Sequence, residues 1–387
     1  MTNTMTPPNQ STLLFSPIDL RGVTLRNRVM ISPMAQYSAN EGVAGDWHVV
    51  HLGKFALGGA GLVFTEATAV QEQGRITYGD LGLYRDEHVE PLRRVTTFIK
   101  QYRAVPGVQL WHAGRKASIR RAWEGGDPLD DTDAAKGEPG WETVGPSAVP
   151  GAPGGVVPRA MSLEEIEQLK LDWRAATRRA LSAGFEGVEV HCAHGYLLHQ
   201  FLSAMSNRRN DVYGGDLEGR MRLPLEIVEI VREVWPADLP VFVRLSASDE
   251  GDPSWTMDEV LALVSELRVR RVDVIDCSSG GIGTAGVAIR GRRIPGYQVG
   301  LAEEVRRRAN VMTAGVGLIT RARQAEAILQ NGQCDLVAIG REALHNPNWP
   351  VHAAIELQAD TDFSYWPDQY GWWLDYRART IESNDAR

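Results

Sequence analysis

His191 and His194 stand three residues apart, and Tyr196 follows two residues on. Two imidazoles at that spacing admit two chemistries. They are nitrogen ligands of the kind a zinc site takes. Alternatively they are paired N–H donors that grip one oxygen and steady the charge it develops, and a phenol beside them is then a proton donor. A barrel metal site draws further ligands from neighbouring segments, whereas the run ending at Arg244 offers a cation. A histidine pair with only a structural role is the remaining reading. Arg244 lies in the apolar stretch Val241-Phe242-Val243-Arg244-Leu245, where its charge needs compensation; a fixed cation there suits an anionic, reduced ring. The Gln109 amide pairs with a ring carbonyl and a ring N–H. Each of these two residues also reads as an ordinary buried bond. Gly315, Gly317 and Gly340-Arg341 combine open backbone N–H groups with a guanidinium, as phosphate binding requires. The glycines alone suit tight turns equally well.

The elements that must position these groups repeat in type. Short apolar runs at 28–32, 62–65, 108–110, 188–191, 241–245, 272–277, 311–313 and 336–339 alternate with amphipathic stretches. Alternating strands and helices imply a parallel sheet, and eight strands imply closure. The fold class is therefore α/β, a single (β/α)8 TIM barrel. Ser162 with Glu165 forms a capping box, and Ile166, Leu169, Trp173, Ala176 and Ala180 then share one face up to Gly184. Thr256 with Glu259 reads as a second box, and Thr320 opens a helix that Gly332 stops. Residues 120–158, rich in Gly, Pro and Asp, form a long excursion over the barrel top between strands 3 and 4. Active sites of this fold lie at the C-terminal ends of the strands. All eight ends are polar or glycine-rich, among them Ser32-Pro33-Met34-Ala35-Gln36-Tyr37, Thr65-Glu66-Ala67-Thr68 and Cys277-Ser278-Ser279. One large polar ligand across the whole mouth accounts for them together.

Composition narrows the classes. Of 387 residues, 43% are hydrophobic, enough for a large core. With 41 basic against 49 acidic residues the net charge is −8, which argues against nucleic acid as a partner. No apolar run nears the ~20 residues of a membrane span. Cys192, Cys277 and Cys334 form no CxxC, as expected of a cytoplasmic protein without disulfides or structural zinc. The expected organisation is a disordered tail at 1–12, a barrel over 13–350, and an extension over 351–387. Trp349, Trp366, Trp372 and Trp373 lie in the tail that follows Asn346. They suggest packing on the barrel or on a neighbouring subunit.

The chain resembles the old yellow enzyme family of FMN-dependent ene-reductases, in the thermophilic-like branch that includes the xenobiotic reductases. The resemblance runs from Leu14-Phe15-Ser16-Pro17 to about Pro350. It is carried by Ser32-Pro33-Met34, by Trp111-His112-Ala113-Gly114-Arg115-Lys116, and by the stretch from His191 to Leu197. The stretch from Ser206 to Gly215, Val243-Arg244-Leu245-Ser246-Ala247 and Ile339-Gly340-Arg341-Glu342 add to it. It implies non-covalent FMN held by Ser32, Pro33, Met34, Ala35, Ala67, Gln109 and Arg244, with Gly315, Gly317, Gly340 and Arg341 at the phosphate. It implies that His191 and His194 bind the substrate's carbonyl or nitro oxygen, that Tyr196 donates the proton and that Tyr37 lines the substrate side. NADPH or NADH would be the hydride donor. Activated alkenes (α,β-unsaturated carbonyls, maleimides, nitro compounds) would be acceptors in ping-pong turnover, in a homodimer or homotetramer with no resident metal. The alternatives are a dehydrogenase or denitrating reductase on the same barrel, or a metal-dependent barrel hydrolase. Three departures stand out: Ala35 where the branch usually has cysteine, Asp216 and Gly219 in place of Ser and Asn, and Gly371-Trp372-Trp373 where some members place an inserting arginine.

Overall fold

Eight parallel strands close into a barrel: β1 (Val29–Ile31), β2 (Leu62–Ala69), β3 (Val105–Trp111), β4 (Gly187–Cys192), β5 (Val241–Ser246), β6 (Val274–Ser278), β7 (Met312–Gly315) and β8 (Leu336–Ile339). They are hydrogen-bonded in chain order, with β8 returning to β1. The expected strands are all present: β8 has the expected bounds, β1 is one residue shorter at each end, and the others are longer or shifted by a few residues. This computed structural model describes residues 12–249, 252, 254–283 and 293–385. The expected tail at 1–12 lies outside the described residues except for Thr12.

Alternation along each strand divides the core in two. Outward residues such as Val63, Val108, Val188, Val190, Val243 and Ile275 pack under the helices, in the large apolar cluster that also holds Ile166, Leu169, Trp173, Ala176 and Ala180. Inward residues form layers. The lower layers are apolar: Met30, Leu62, Phe64, Phe242, Val274 and Leu336. The Phe64 and Phe242 rings meet edge to face at 5.3 Å. Gly107 makes room for them, since a Cβ there would stand 2.6 Å from the Phe64 ring. An antiparallel hairpin, Ile18–Leu20 with Val23–Leu25, places Leu20, Val23 and Leu25 in the same cluster and closes the barrel floor. Above these layers the inward positions turn polar, with Gln109, Glu189, His191, Arg244, Asp276 and Ser278 all buried. The floor is thus packing and the top is chemistry.

Local signals hold with corrections. The helix Leu163–Ser182 has its capping box, Ser162 Oγ accepting from the Glu165 N–H and Glu165 accepting from the Ser162 N–H. Thr256 caps Met257–Val269 alone, because the Glu259 carboxylate turns to Arg220 at 2.8 Å instead of closing a box. The helix expected from Thr320 begins at Ala322, with Arg321 as its cap, and ends at Gln330. The excursion is partly structured: it holds a short helix, Asp131–Ala134, and a two-residue ladder of Val144–Gly145 with Arg159–Ala160. Past 350 the chain divides. The helix Trp349–Glu356 packs on the barrel with Trp349 buried, whereas Asp368–Asp385 exposes Trp372 and Trp373, each 63% accessible. No helix among the described residues is long and apolar enough to cross a membrane.

Candidate active site

The C-terminal strand ends enclose a cavity of about 450 Å³. Its walls bring together Ser32, Pro33, Met34, Ala35, Tyr37, Ala67, Gln109, His191, His194, Tyr196, Arg244, Gly317, Gly340 and Arg341. Of the expected site residues only Gly315 lies elsewhere. It is the last residue of β7, and a Cβ on it would point at Cys334 Sγ, 3.0 Å away. Its smallness serves packing behind the barrel wall.

A bulge in β2 between Phe64 and Ala67 shifts the register against β3 and sets Ala67 beside Gln109. At the bulge, Glu66 Oε2 accepts from the Gln36 N–H at 2.5 Å, while Oε1 lies 3.2 Å from His48 Nε2. This buried pair fixes the path of the 32–37 loop along the cavity. Tyr37, in a left-handed conformation (φ 50°), meets Trp123 of the excursion edge to face at 5.8 Å. The excursion therefore reaches the cavity rim, as its length suggested.

The histidines form a chain. The Ala193 N–H donates to His191 Nδ1 at 3.1 Å, which leaves the ring proton of neutral His191 on Nε2. That nitrogen faces His194 Nδ1 at 3.3 Å, and His194 Nε2 lies 2.7 Å from Ser278 Oγ. Gln298 Nε2 donates to Ser278 Oγ at 3.0 Å. Burial first, then the charge of Arg244, holds both imidazoles well below their ordinary pKa, so both are neutral at pH 7. His194 has a left-handed backbone (φ 59°), and its N–H donates to Ser246 Oγ. The ammonium of Lys116 donates to its carbonyl at 2.7 Å and to that of Gly281 at 2.6 Å.

Tyr196 sits against these rings, edge to face with Trp111 at 4.5 Å and with His191 at 5.1 Å. Burial, with Tyr37 and Asp80 nearby, raises its phenol above the ordinary value. It stays protonated and able to donate. Ser278, Gln298, Trp111 and Lys116 join the expected site residues here. Period-2 alternation from Val274 through Asp276 would have marked Ser278 as inward. Gln298 lies outside any strand and carried no such signal.

Residues 13–360 match the model of the NADH:flavin oxidoreductase / NADH oxidase family. An NADPH dehydrogenase of Geobacillus sp. (strain WCH70) is 44% identical over 348 residues, 89% of this chain and 95% of that protein. The NADPH dehydrogenase of Bacillus subtilis (strain 168) is 40% identical over 93% of this chain and 99% of its own. Among solved structures, morphinone reductase superposes with a TM-score of 0.73 at 27% identity, over 89% of this chain and 90% of that one.

The chain belongs to the NADH:flavin oxidoreductase / NADH oxidase family.

It is an oxidoreductase of the old yellow enzyme type, with FMN as cofactor and a reduced nicotinamide as electron source. The cavity fits that cofactor. Ser32 Oγ is buried at its wall without a hydrogen-bond partner. Gly317 (φ 122°) approaches so closely that a Cβ would stand 3.1 Å from the Tyr297 ring. Exposed Arg341 stands at the rim next to Gly340. A flat polar ring system with an anionic tail has both a donor-and-acceptor edge to meet and a cation for its charge.

Proposed function

We propose that this flavoprotein reduces activated C=C bonds, in α,β-unsaturated carbonyls, maleimides and nitro compounds, taking NADPH or NADH and the alkene in turn at one mouth. The observation that carries the reading is a phenol packed against two neutral imidazoles in one cavity with Gln109 and Arg244. FMN, when bound, supplies the hydride chemistry. Ser32, Pro33, Met34, Ala35, Ala67, Gln109 and Arg244 would hold its ring, and Gly317, Gly340 and Arg341 its phosphate. Gly315 supports that turn from behind. The His191 and His194 ring N–H groups, now linked to each other and to Ser278, would turn to the substrate's carbonyl or nitro oxygen. Tyr196 Oη would hold the proton that the α-carbon receives, and Tyr37 would line the substrate side. Three buried free cysteines suit a cytoplasmic enzyme.

The test is stopped-flow spectroscopy of the two half-reactions. Each nicotinamide is mixed with the oxidised protein, and the reduced protein is then mixed with enones, maleimides and nitro compounds. Parallel-line steady-state kinetics and fast reoxidation by enones are expected. Fast reduction followed by reoxidation only by oxygen or by quinones would overturn the alkene reading. Nitrite release without C=C reduction would favour denitration.

A further inference from the structure

Beneath the cavity lies a second polar layer. Glu189 on β4 is paired in register with Gln109 on β3, and Gln109 Nε2 donates to Glu189 Oε1 at 2.7 Å. One strand further, Arg244 is paired in register with both His191 and Asp276, and its Nε lies 3.2 Å from Asp276 Oδ2. Glu189 and Asp276 are fully buried and absent from the cavity wall, whereas Gln109 and Arg244 reach it. Gln109 and Arg244 thus each stand on a carboxyl group that does not reach the cavity. Glu189 Oε2 and both Asp276 oxygens are buried without a hydrogen-bond partner. Two carboxylates and one guanidinium leave one negative charge in excess in a dry layer, which is costly unless a proton cancels it.

We propose that Glu189 is a positioning residue that fixes which way round the Gln109 amide lies, and that it does so as a neutral acid beside the Asp276–Arg244 ion pair. Its proton sits on Oε2, away from the amide, so Oε1 stays an acceptor; by taking one Gln109 N–H there, it turns the amide oxygen away from itself and toward the mouth. The pyrimidine edge of the ring then meets an acceptor for its imide N–H. Burial and the Asp276 charge push the Glu189 carboxyl up to about 8, and burial raises Asp276 while Arg244 opposes the rise. Asp276 faces the Arg244 guanidinium at 3.2 Å, whereas Glu189 faces a neutral amide, so the proton belongs on Glu189 and the charge on Asp276. The inference rests on FMN occupying this mouth.

The experiment titrates apoprotein with FMN and with N3-methyl-FMN, following flavin fluorescence, and measures the midpoint potential of each holoprotein. Wild type, Glu189→Gln, Glu189→Leu and Asp276→Asn are compared. Glu189→Gln still offers an acceptor and is neutral. It is expected to keep the wild-type ratio of the two affinities and the wild-type potential. Glu189→Leu frees the amide, so it should bind FMN about tenfold more weakly, the loss of one buried hydrogen bond, and discriminate less against the methylated ring. Asp276→Asn uncovers the guanidinium and should raise the potential. An unchanged affinity ratio in Glu189→Leu overturns the orienting role. A potential in Glu189→Gln that moves as far as in Asp276→Asn overturns the neutral-acid assignment, and this variant decides the matter if the leucine variant does not fold. Failure of wild-type apoprotein to bind FMN at all would instead remove the reading on which the inference rests.

Discussion

Tyr196 is the residue whose surroundings say most about its task. Its ring is held by Trp111 and His191, and its proton is retained by burial. With Tyr196 as the proposed proton donor, Tyr196→Phe should leave reduction by nicotinamide near its wild-type rate. Reoxidation by an enone should slow by ~10²–10⁴, the usual contribution of a general acid. Equal slowing of both half-reactions, measured separately by stopped flow, would contradict the role. The same proton sets a pH expectation. The proposed role needs the protonated phenol, which persists below its pKa, and burial raises that pKa. Ionisation of Tyr196 should therefore cause no fall in enone reduction through pH ~10, where an exposed phenol is half ionised. Lys116 lies 5.4 Å from the Tyr196 ring, and burial lowers its ammonium to about 8. A step near that pH belongs to Lys116 and should vanish in Lys116→Met. A fall near pH 10 in both proteins would show an unshifted Tyr196.

At the scale of elements, the two glycine-bearing turns after β7 and β8 have different tasks. Gly315 packs against Cys334 behind the wall, while Gly317, Gly340 and Arg341 face the cavity. Arg341→Ala should weaken FMN by about tenfold or more, as expected for a hydrogen bond between charged groups, and leave riboflavin nearly unchanged. Equal losses for both ligands, measured by titrating apoprotein, would move the phosphate elsewhere. Positions differ in how far residue type alone reveals them. Strand ends carry their chemistry in residue type, so His191, His194, Tyr196, Arg244 and Gln109 are legible in the amino-acid sequence. Gly315 and Gly317, two residues apart, would share a face if β7 ran through both; they part because β7 ends at Gly315, an end that residue type does not mark. The chain of bonds from Ala193 through His191 and His194 to Ser278 and Gln298 spans three segments distant in sequence. No local pattern contains it. Glu259 makes the same point: its spacing from Thr256 matches a capping box, but Arg220, 39 residues away in sequence, competes for the carboxylate.

At the scale of the whole molecule, the barrel follows from eight apolar runs and the helices between them, because closure is the arrangement that hides both faces of so many parallel strands. The C-terminal extension is different, since its partner is not written in its own pattern. Trp349 finds the barrel and donates from Nε1 to the Thr320 carbonyl at 2.9 Å. Trp372 and Trp373 do not; with Tyr370 and Tyr376 they form an exposed aromatic face on the helix Asp368–Asp385, the two indoles meeting edge to face at 4.5 Å. Four such side chains, each about half exposed or more, offer roughly 400–500 Å² of ring surface, about half of the ~800 Å² each partner gives to a stable interface. Isolated exposed aromatics need no explanation, but a contiguous set on one helix does. A second copy of this chain is the proposed cover, consistent with the subunit contact expected of the extension. Trp372→Ser with Trp373→Ser should convert the oligomer to a monomer in light scattering, with the flavin spectrum and the barrel's circular dichroism unchanged. A monomeric wild type, or an oligomer that survives both substitutions at the same dissociation constant, would mean that this face is not where copies meet.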